Sequence, residues 1–197
     1  IGEREQSVLV VGLGNRDVTP DALGPRVVSN IRITRHMIRE YGRAALEGKK
    51  ANEISSLVPG VMAQTGMETL EIIKGVVEES RPDVVLVIDA LAARNTRRLS
   101  RTIQISDTGI HPGSGVGNHR NGITRETLGV PVISIGVPTV VDAATIVNDT
   151  MEEMVETLDA SEKIRRLGGA LGTFNRVEKQ QMIHELLSPH LNTMYMT

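Results

Sequence analysis

The 197-residue chain has no cysteine and no tryptophan, and only one phenylalanine and two tyrosines. Without thiols it can build no disulfide framework, no thiolate zinc site and no cysteine nucleophile. With aromatics at 2% it offers no stacking platform for single-stranded nucleic acid. An excess of one charge is lacking too. Twenty-two Lys and Arg against 24 Asp and Glu leave a formal charge of −2, which makes no footprint for nucleic acid or an anionic membrane surface. No apolar run approaches 18 residues and no signal peptide is recognisable, so we expect no membrane association and a cytoplasmic address. The chain opens on Ile1 rather than Met, so the start of the gene product is expected to lie upstream.

What the chain does have is ordinary globular material, 40% hydrophobic and 23% charged, in a length suited to one domain. Two unbroken apolar runs stand out, Ser7 to Leu13 (SVLVVGL) and Val84 to Ile88, the second ending at Asp89 (VVLVIDALAAR through Arg94). Short apolar runs bounded by turn residues read as strands buried on both faces. Ile54 to Val58 and Val132 to Ile135 read likewise, and Thr102 to Ile105 alternates like an edge strand.

Helices are expected between them. One starts at Thr19-Pro20-Asp21, with Thr19 as N-cap, and runs to about Met37. Another spans Thr65 to Glu79, with Thr65 and Glu68 forming a capping box. Further helices are expected over Ile123 to Leu128 and over Val140 to Leu158, the last capped by Thr139. Tyr41 to Asn52 and the glycine-rich Asp107 to Asn118 read as loops. Lys163 to Asn175 reads as a mobile segment and Val177 to Leu187 as a final amphipathic helix. Strands alternating with helices predict an α/β fold: a mainly parallel sheet with helices on both faces, in a single domain over 1–197 with its core in 7–158.

Two acids follow buried strands at the same kind of strand-to-helix position. Asp89 ends its apolar run, and Asp21 falls in the first helical turn after Ser7 to Leu13. Alone, Asp21 is a helix-dipole acid and Asp89 a strand-end carboxylate. In a parallel sheet both fall on the carboxyl edge, where ligands and catalytic groups collect. Two carboxylates brought together can share one proton, one acting as general base on water and the other, protonated, donating to a scissile carbonyl.

Asp107, His111 and His119 lie in or beside the glycine-rich loop. His111 with Asp21 and Asp89 is the alternative, a carboxylate–carboxylate–imidazole metal site. Arg94, Arg97, Arg98 and Arg101 make a basic run that reads as a solvated face or as a receiver for an acidic peptide. Gly12-x-Gly14 follows a strand as in dinucleotide-binding turns, but Asp17 stands where the third glycine belongs, and a carboxylate there repels a pyrophosphate. A tight turn letting the backbone pass close to a neighbour is the plainer reading. Ser106, Ser114 and Ser134 lack the G-x-S-x-G context of a serine nucleophile.

Longer segments carry a resemblance. VVGLGN-x-x-VTPDALGP (Val10 to Pro25), VPGVMAQTGMET (Val58 to Thr69), VIDALAAR (Val87 to Arg94), TIQISDTGIHPGSGVGNHR (Thr102 to Arg120) and GVPTVVDA (Gly136 to Ala143) together resemble the germination protease family of spore-forming bacteria, in order, over nearly all of Val8 to Asp149. The resemblance implies an atypical aspartic endopeptidase, without a cofactor, that starts the degradation of small acid-soluble spore proteins at germination in the spore core. It implies a zymogen cut near its N-terminus, a homotetramer, and a fold similar to the hydrogenase maturation endopeptidases (phosphorylase/hydrolase-like). It also implies that Asp21 and Asp89 are the catalytic pair; from the residues themselves, Asp107, His111 and Arg94 are the supporting or substrate-contacting candidates. Relative to the family, IGEREQ leads into the first strand with little spacer and the region after Asp159 is short. The lack of a recognisable pro-segment favours the processed form. VGLGN with Thr34-Arg35-His36 also resembles peptidyl-tRNA hydrolase, but Met37 replaces that family's Asn, and the basic face a tRNA needs is missing.

Overall fold

Five strands form one sheet in the order β2-β1-β3-β5-β4. They are β1 (Ser7–Gly12), β2 (Glu53–Leu57), β3 (Val84–Ala93), β4 (Gln104–Ser106) and β5 (Val132–Val141). The structure is a computed structural model that describes residues 5–43, 51–114 and 120–159, with side chains up to residue 153. The expected mobile segment and C-terminal helix, and His119, lie outside the described residues.

β1 pairs in parallel with β2 and with β3, whereas β4 pairs antiparallel with β5. The sheet is thus mostly parallel and the fold is α/β. By their contacts the residues divide into two compact units. One comprises the chain up to Ala92 with Ser100–Val140, the other Ala93–Leu99 with the chain from Val141 onward.

In the first unit, alternation along β1 and β3 sends side chains to two apolar layers. Leu9, Val11, Val85 and Val87 meet Ile73 and Val77 of α4 (Thr69–Ser80) and Leu128 of α5 (Arg125–Leu128). Val10 and Ile88 meet Val28 of α1 (Leu23–Asn30) on the other face. At the β4 edge the cover ends, and Ile103 and Ile105 are each 70% exposed.

Several helices differ from expectation. The helix expected from Thr19 to Met37 is three pieces: a 3-10 turn at Thr19–Asp21, α1, and α2 (Arg35–Tyr41). The break falls at Thr34, which is buried and binds the start of β2. Its hydroxyl donates to the Asn52 carbonyl (2.6 Å) and accepts from the Ile54 N–H (2.9 Å). Thr19 is not a cap; Val18 precedes the turn, with no side-chain bond.

The expected Thr65–Glu68 box is also replaced. A short helix, α3 (Met62–Thr65), stops at Gly66 in the left-handed conformation, and α4 begins after Glu68, which forms a capping box with Glu71. Thr139 is not the cap of the last helix either, because β5 runs on to Val141. α6 (Ala143–Asp159) starts after Asp142, whose carboxylate accepts from the Ala144 N–H (2.8 Å).

In the second unit, Asp149 of α6 accepts from the Thr96 N–H at 2.6 Å, tying the 3-10 turn Thr96–Arg98 to that helix. Arg97 pairs with Glu153 at 3.4 Å on the surface. Among the described residues no helix is long and apolar enough to cross a membrane.

One close approach locks the first helix to the sheet. A Cβ on Gly12 would lie 2.3 Å from the Gly24 carbonyl oxygen. A Cβ on Gly24 would lie 2.3 Å from the Leu13 carbonyl oxygen and 2.6 Å from that of Ile88. Backbone therefore meets backbone here, and the residues just before α1 are carried to the end of β1 and to Ile88 within β3.

Candidate active site

Asp89 lies within a long strand rather than at its end, since Ala90, Leu91, Ala92 and Ala93 continue β3. The neighbouring strand stops first. The last β1–β3 pair is Gly12 with Ile88, and the Leu13 N–H closes on the Ile88 carbonyl at 2.8 Å. Asp89 is thus the first β3 residue beyond the edge of β1. It is 7% exposed, and its carboxylate accepts from the Ala90 N–H at 2.9 Å. Loss of water around the charge, reinforced by the negative charge of Asp21, pushes its carboxyl up to about 7.

Asp21 lies near enough for its charge to bear on Asp89. The turn Gly14-Asn15 brings the chain round, and the Asn15 N–H donates to Asp21 Oδ2 at 2.6 Å. Gly14 has φ +108°, and a Cβ there would sit 2.0 Å from the Asp21 carbonyl oxygen. Only glycine allows that passage. The plainer reading of Gly12-x-Gly14 fits this geometry: its turn is shaped around Asp21.

The backbone of Asp21 is held as well. Its N–H donates to the Val18 carbonyl (2.9 Å), and the carbonyl of Pro20 accepts from the Thr139 hydroxyl (2.6 Å). Asp21 is half-buried. Burial raises its carboxyl above the usual range, while the Asn15 N–H and the Arg120 guanidinium pull it down. The two acids thus differ: one is dry, the other partly wet and bonded in its charged form.

The remaining candidates, His111, Asp107 and Arg94, are all exposed. His111 is exposed, with its ring against Gly122, where a Cβ would lie 2.5 Å from Cε1. Asp107 is exposed just after β4, in a loop held to β5 by the Ser134 hydroxyl, which donates to the Gly109 carbonyl at 3.0 Å. Arg94 is exposed and belongs to the second unit. Among the described residues no three of His, Cys, Asp and Glu come together as a cluster able to hold a metal ion. Sequence reasoning passed over Asn15, Thr139 and Arg120. Asn15 had a usable signal, because a Gly-x-Gly-Asn turn straight after a strand aims backbone N–H groups at whatever lies beyond. Arg120 and Thr139 act across long sequence separations and had none.

Comparison with known proteins gives a consistent answer. The sequence pattern of the germination protease family matches residues 2–163. The germination protease of Caldanaerobacter subterraneus is 54% identical over 196 residues, covering 99% of this chain and 60% of that protein. That of Bacillus subtilis is 46% identical, covering 94% of this chain and 58% of that protein. The chain therefore spans about three fifths of the length of the relatives it matches. Among solved structures, a [NiFe] hydrogenase maturation protease, HycI from Thermococcus kodakarensis, is similar at 17% identity with a TM-score of 0.40, covering 78% of this chain and 92% of that one. The chain belongs to the germination protease family.

Proposed function

We propose that this chain carries the catalytic centre of an endopeptidase of the aspartic type, with Asp21 and Asp89 as its working pair. The observation that carries this reading is the buried Asp89 carboxyl, pushed up to about 7 in part by the charge of Asp21. A carboxylic acid that keeps its proton near neutrality can donate it, and a neighbour bonded in its charged form can accept one. Asp21 takes a proton from water, and the hydroxyl oxygen bonds to the carbonyl carbon of the peptide. Asp89 gives its proton to the carbonyl oxygen, forming a neutral tetrahedral gem-diol. As the C–N bond breaks, the proton held by Asp21 passes to the leaving amine and a gem-diol proton returns to Asp89. Acid and amine leave, and both carboxyls are restored. No cofactor is needed for this balance.

The motif resemblance points to small acid-soluble spore proteins as substrates, to a tetramer made from a zymogen, and to the spore core as the place of action. The test is Asp21→Asn and Asp89→Asn in the full-length protein, with cleavage of a purified small acid-soluble spore protein followed by mass spectrometry. Each variant should keep its fold by circular dichroism and lose roughly 10²–10⁴-fold or more in rate. Wild-type cleavage by either variant overturns the reading.

A further inference from the structure

Asp21 stands on a turn rather than on a helix or strand. A catalytic group on a turn keeps its aim only if its supports are themselves fixed. Three bonds converge on it, and they come from different parts of the chain. The carboxylate accepts from Asn15, the Asp21 N–H donates to Val18, and the Pro20 carbonyl accepts from Thr139. The first two partners are local, but Thr139 is 119 residues away.

The Pro20 carbonyl and the Asp21 N–H are the two ends of one planar peptide unit. Val18 holds one end and Thr139 the other, and the Pro20 ring limits rotation on the preceding side. If the Thr139 bond is lost, that plane can turn about the chain axis and swing the Asp21 Cβ. The Thr139 backbone is a firm post, since it lies in β5 next to Pro138, whose carbonyl accepts from the Ser100 N–H at 2.7 Å.

We propose that Thr139 is a positioning residue for Asp21, its hydroxyl fixing the peptide plane from which the Asp21 carboxylate departs. The proposal rests on the reading of Asp21 and Asp89 as the working pair. A hydroxyl that merely satisfies its own bonding needs would affect stability alone. A positioning hydroxyl affects the chemical step, because displacing a reacting group by about 1 Å can cost as much as 100-fold in rate.

The experiment compares Thr139→Val, Thr139→Ala and Thr139→Ser in the full-length protein, alongside Asp21→Asn. Thr139→Val keeps shape and removes the hydroxyl. It should lower kcat by about 10- to 100-fold with KM little changed. Its rate-against-pH curve should lose its alkaline side at lower pH than wild type, because a displaced Asp21 charge no longer supports the proton on Asp89. Thr139→Ser restores the hydroxyl and should recover most of kcat. If Thr139→Val does not fold, Thr139→Ala takes its place in the same comparison.

Wild-type kcat in the hydroxyl-free variant overturns the proposal, as does a serine variant as slow as the valine one. Failure of both hydroxyl-free variants to fold also overturns it, since the bond is then structural. Full activity in Asp21→Asn sinks the underlying reading instead. An inactive Asp21→Asn beside an unaffected Thr139→Val sinks the positioning role alone.

Discussion

Asp89 and Asp21 are held by opposite kinds of structure. Asp89 belongs to the middle of the sheet, its main chain built into β3 and its carboxyl shut away from water. Asp21 stands on a 3-10 turn, half-buried, and owes its place to hydrogen bonds from Asn15 and Thr139. A strand fixes position through many weak contacts and sets protonation by excluding water. A turn fixes position through a few directed bonds, and the one from the Asn15 N–H favours the ionised carboxylate against the effect of burial. An acid that holds its proton and one that yields it can thus be made from the same residue type by where each is placed.

The largest effect expected from this contrast is on stability, at Asp89. Its carboxyl ionises near 7 in the folded chain against 3.8 for a free side chain. The folded state therefore holds the proton more tightly than the unfolded one. Stability is highest below the unfolded value, falls as pH rises from about 4 towards 7, and stays low above that. A shift of this size corresponds to an order of 4 kcal/mol. Asp89→Asn should remove that dependence, leaving the protein more stable than wild type at pH 8 by up to that amount. Urea melts at pH 5 and pH 8 measure it, and a pH-independent wild type would erase the contrast between the two seats.

A smaller loss is expected on the other side. Gly14→Ala forces a side chain into φ +108° and against the Asp21 carbonyl oxygen, so unfolding at pH 6 should show about 3 kcal/mol of destabilisation. Cleavage should fall further than the folded fraction does.

The smallest effect belongs to Arg120. Its charge holds the Asp21 carboxyl down. Arg120→Gln should raise that value and move the acid side of the pH–rate curve upward, because the base must be deprotonated to act. Denaturation midpoints should hardly change. A downward move, or none, would show that Asp21 does not feel this cation.

The strands were legible because unbroken apolar runs such as Ser7 to Leu13 leave few alternatives to burial. Asp89 was legible for the same reason, as a charge interrupting such a run. Its strand extends further than the apolar run, because the charge of Asp89 interrupts that run and Ala90, Ala92 and Ala93 carry little strand signal of their own. The helix caps misled where local chemistry competed. Thr65 and Glu68 have capping-box spacing, yet Gly66 between them stops one helix and leaves Glu68 to start the next. Thr139 has the look of a cap, but its hydroxyl is claimed by Pro20. Bonds of that kind join distant segments, and no local window contains them. His111, the sequence candidate for a third metal ligand beside the acids, has its ring against Gly122, and no metal-holding cluster forms among the described residues.

The contact of Gly12 with Gly24 carries a consequence for genetics. A methyl group added at either position meets main-chain oxygens at 2.3 Å: that of Gly24 in one case, that of Leu13 in the other. Damage done by an oversized side chain against another side chain can be repaired by trimming the neighbour. Damage done against a peptide oxygen cannot, because every amino acid carries one. Second-site revertants of Gly24→Ala should therefore not map to the touching positions. Recovery has to come from true reversion, or from substitutions that stabilise the fold elsewhere.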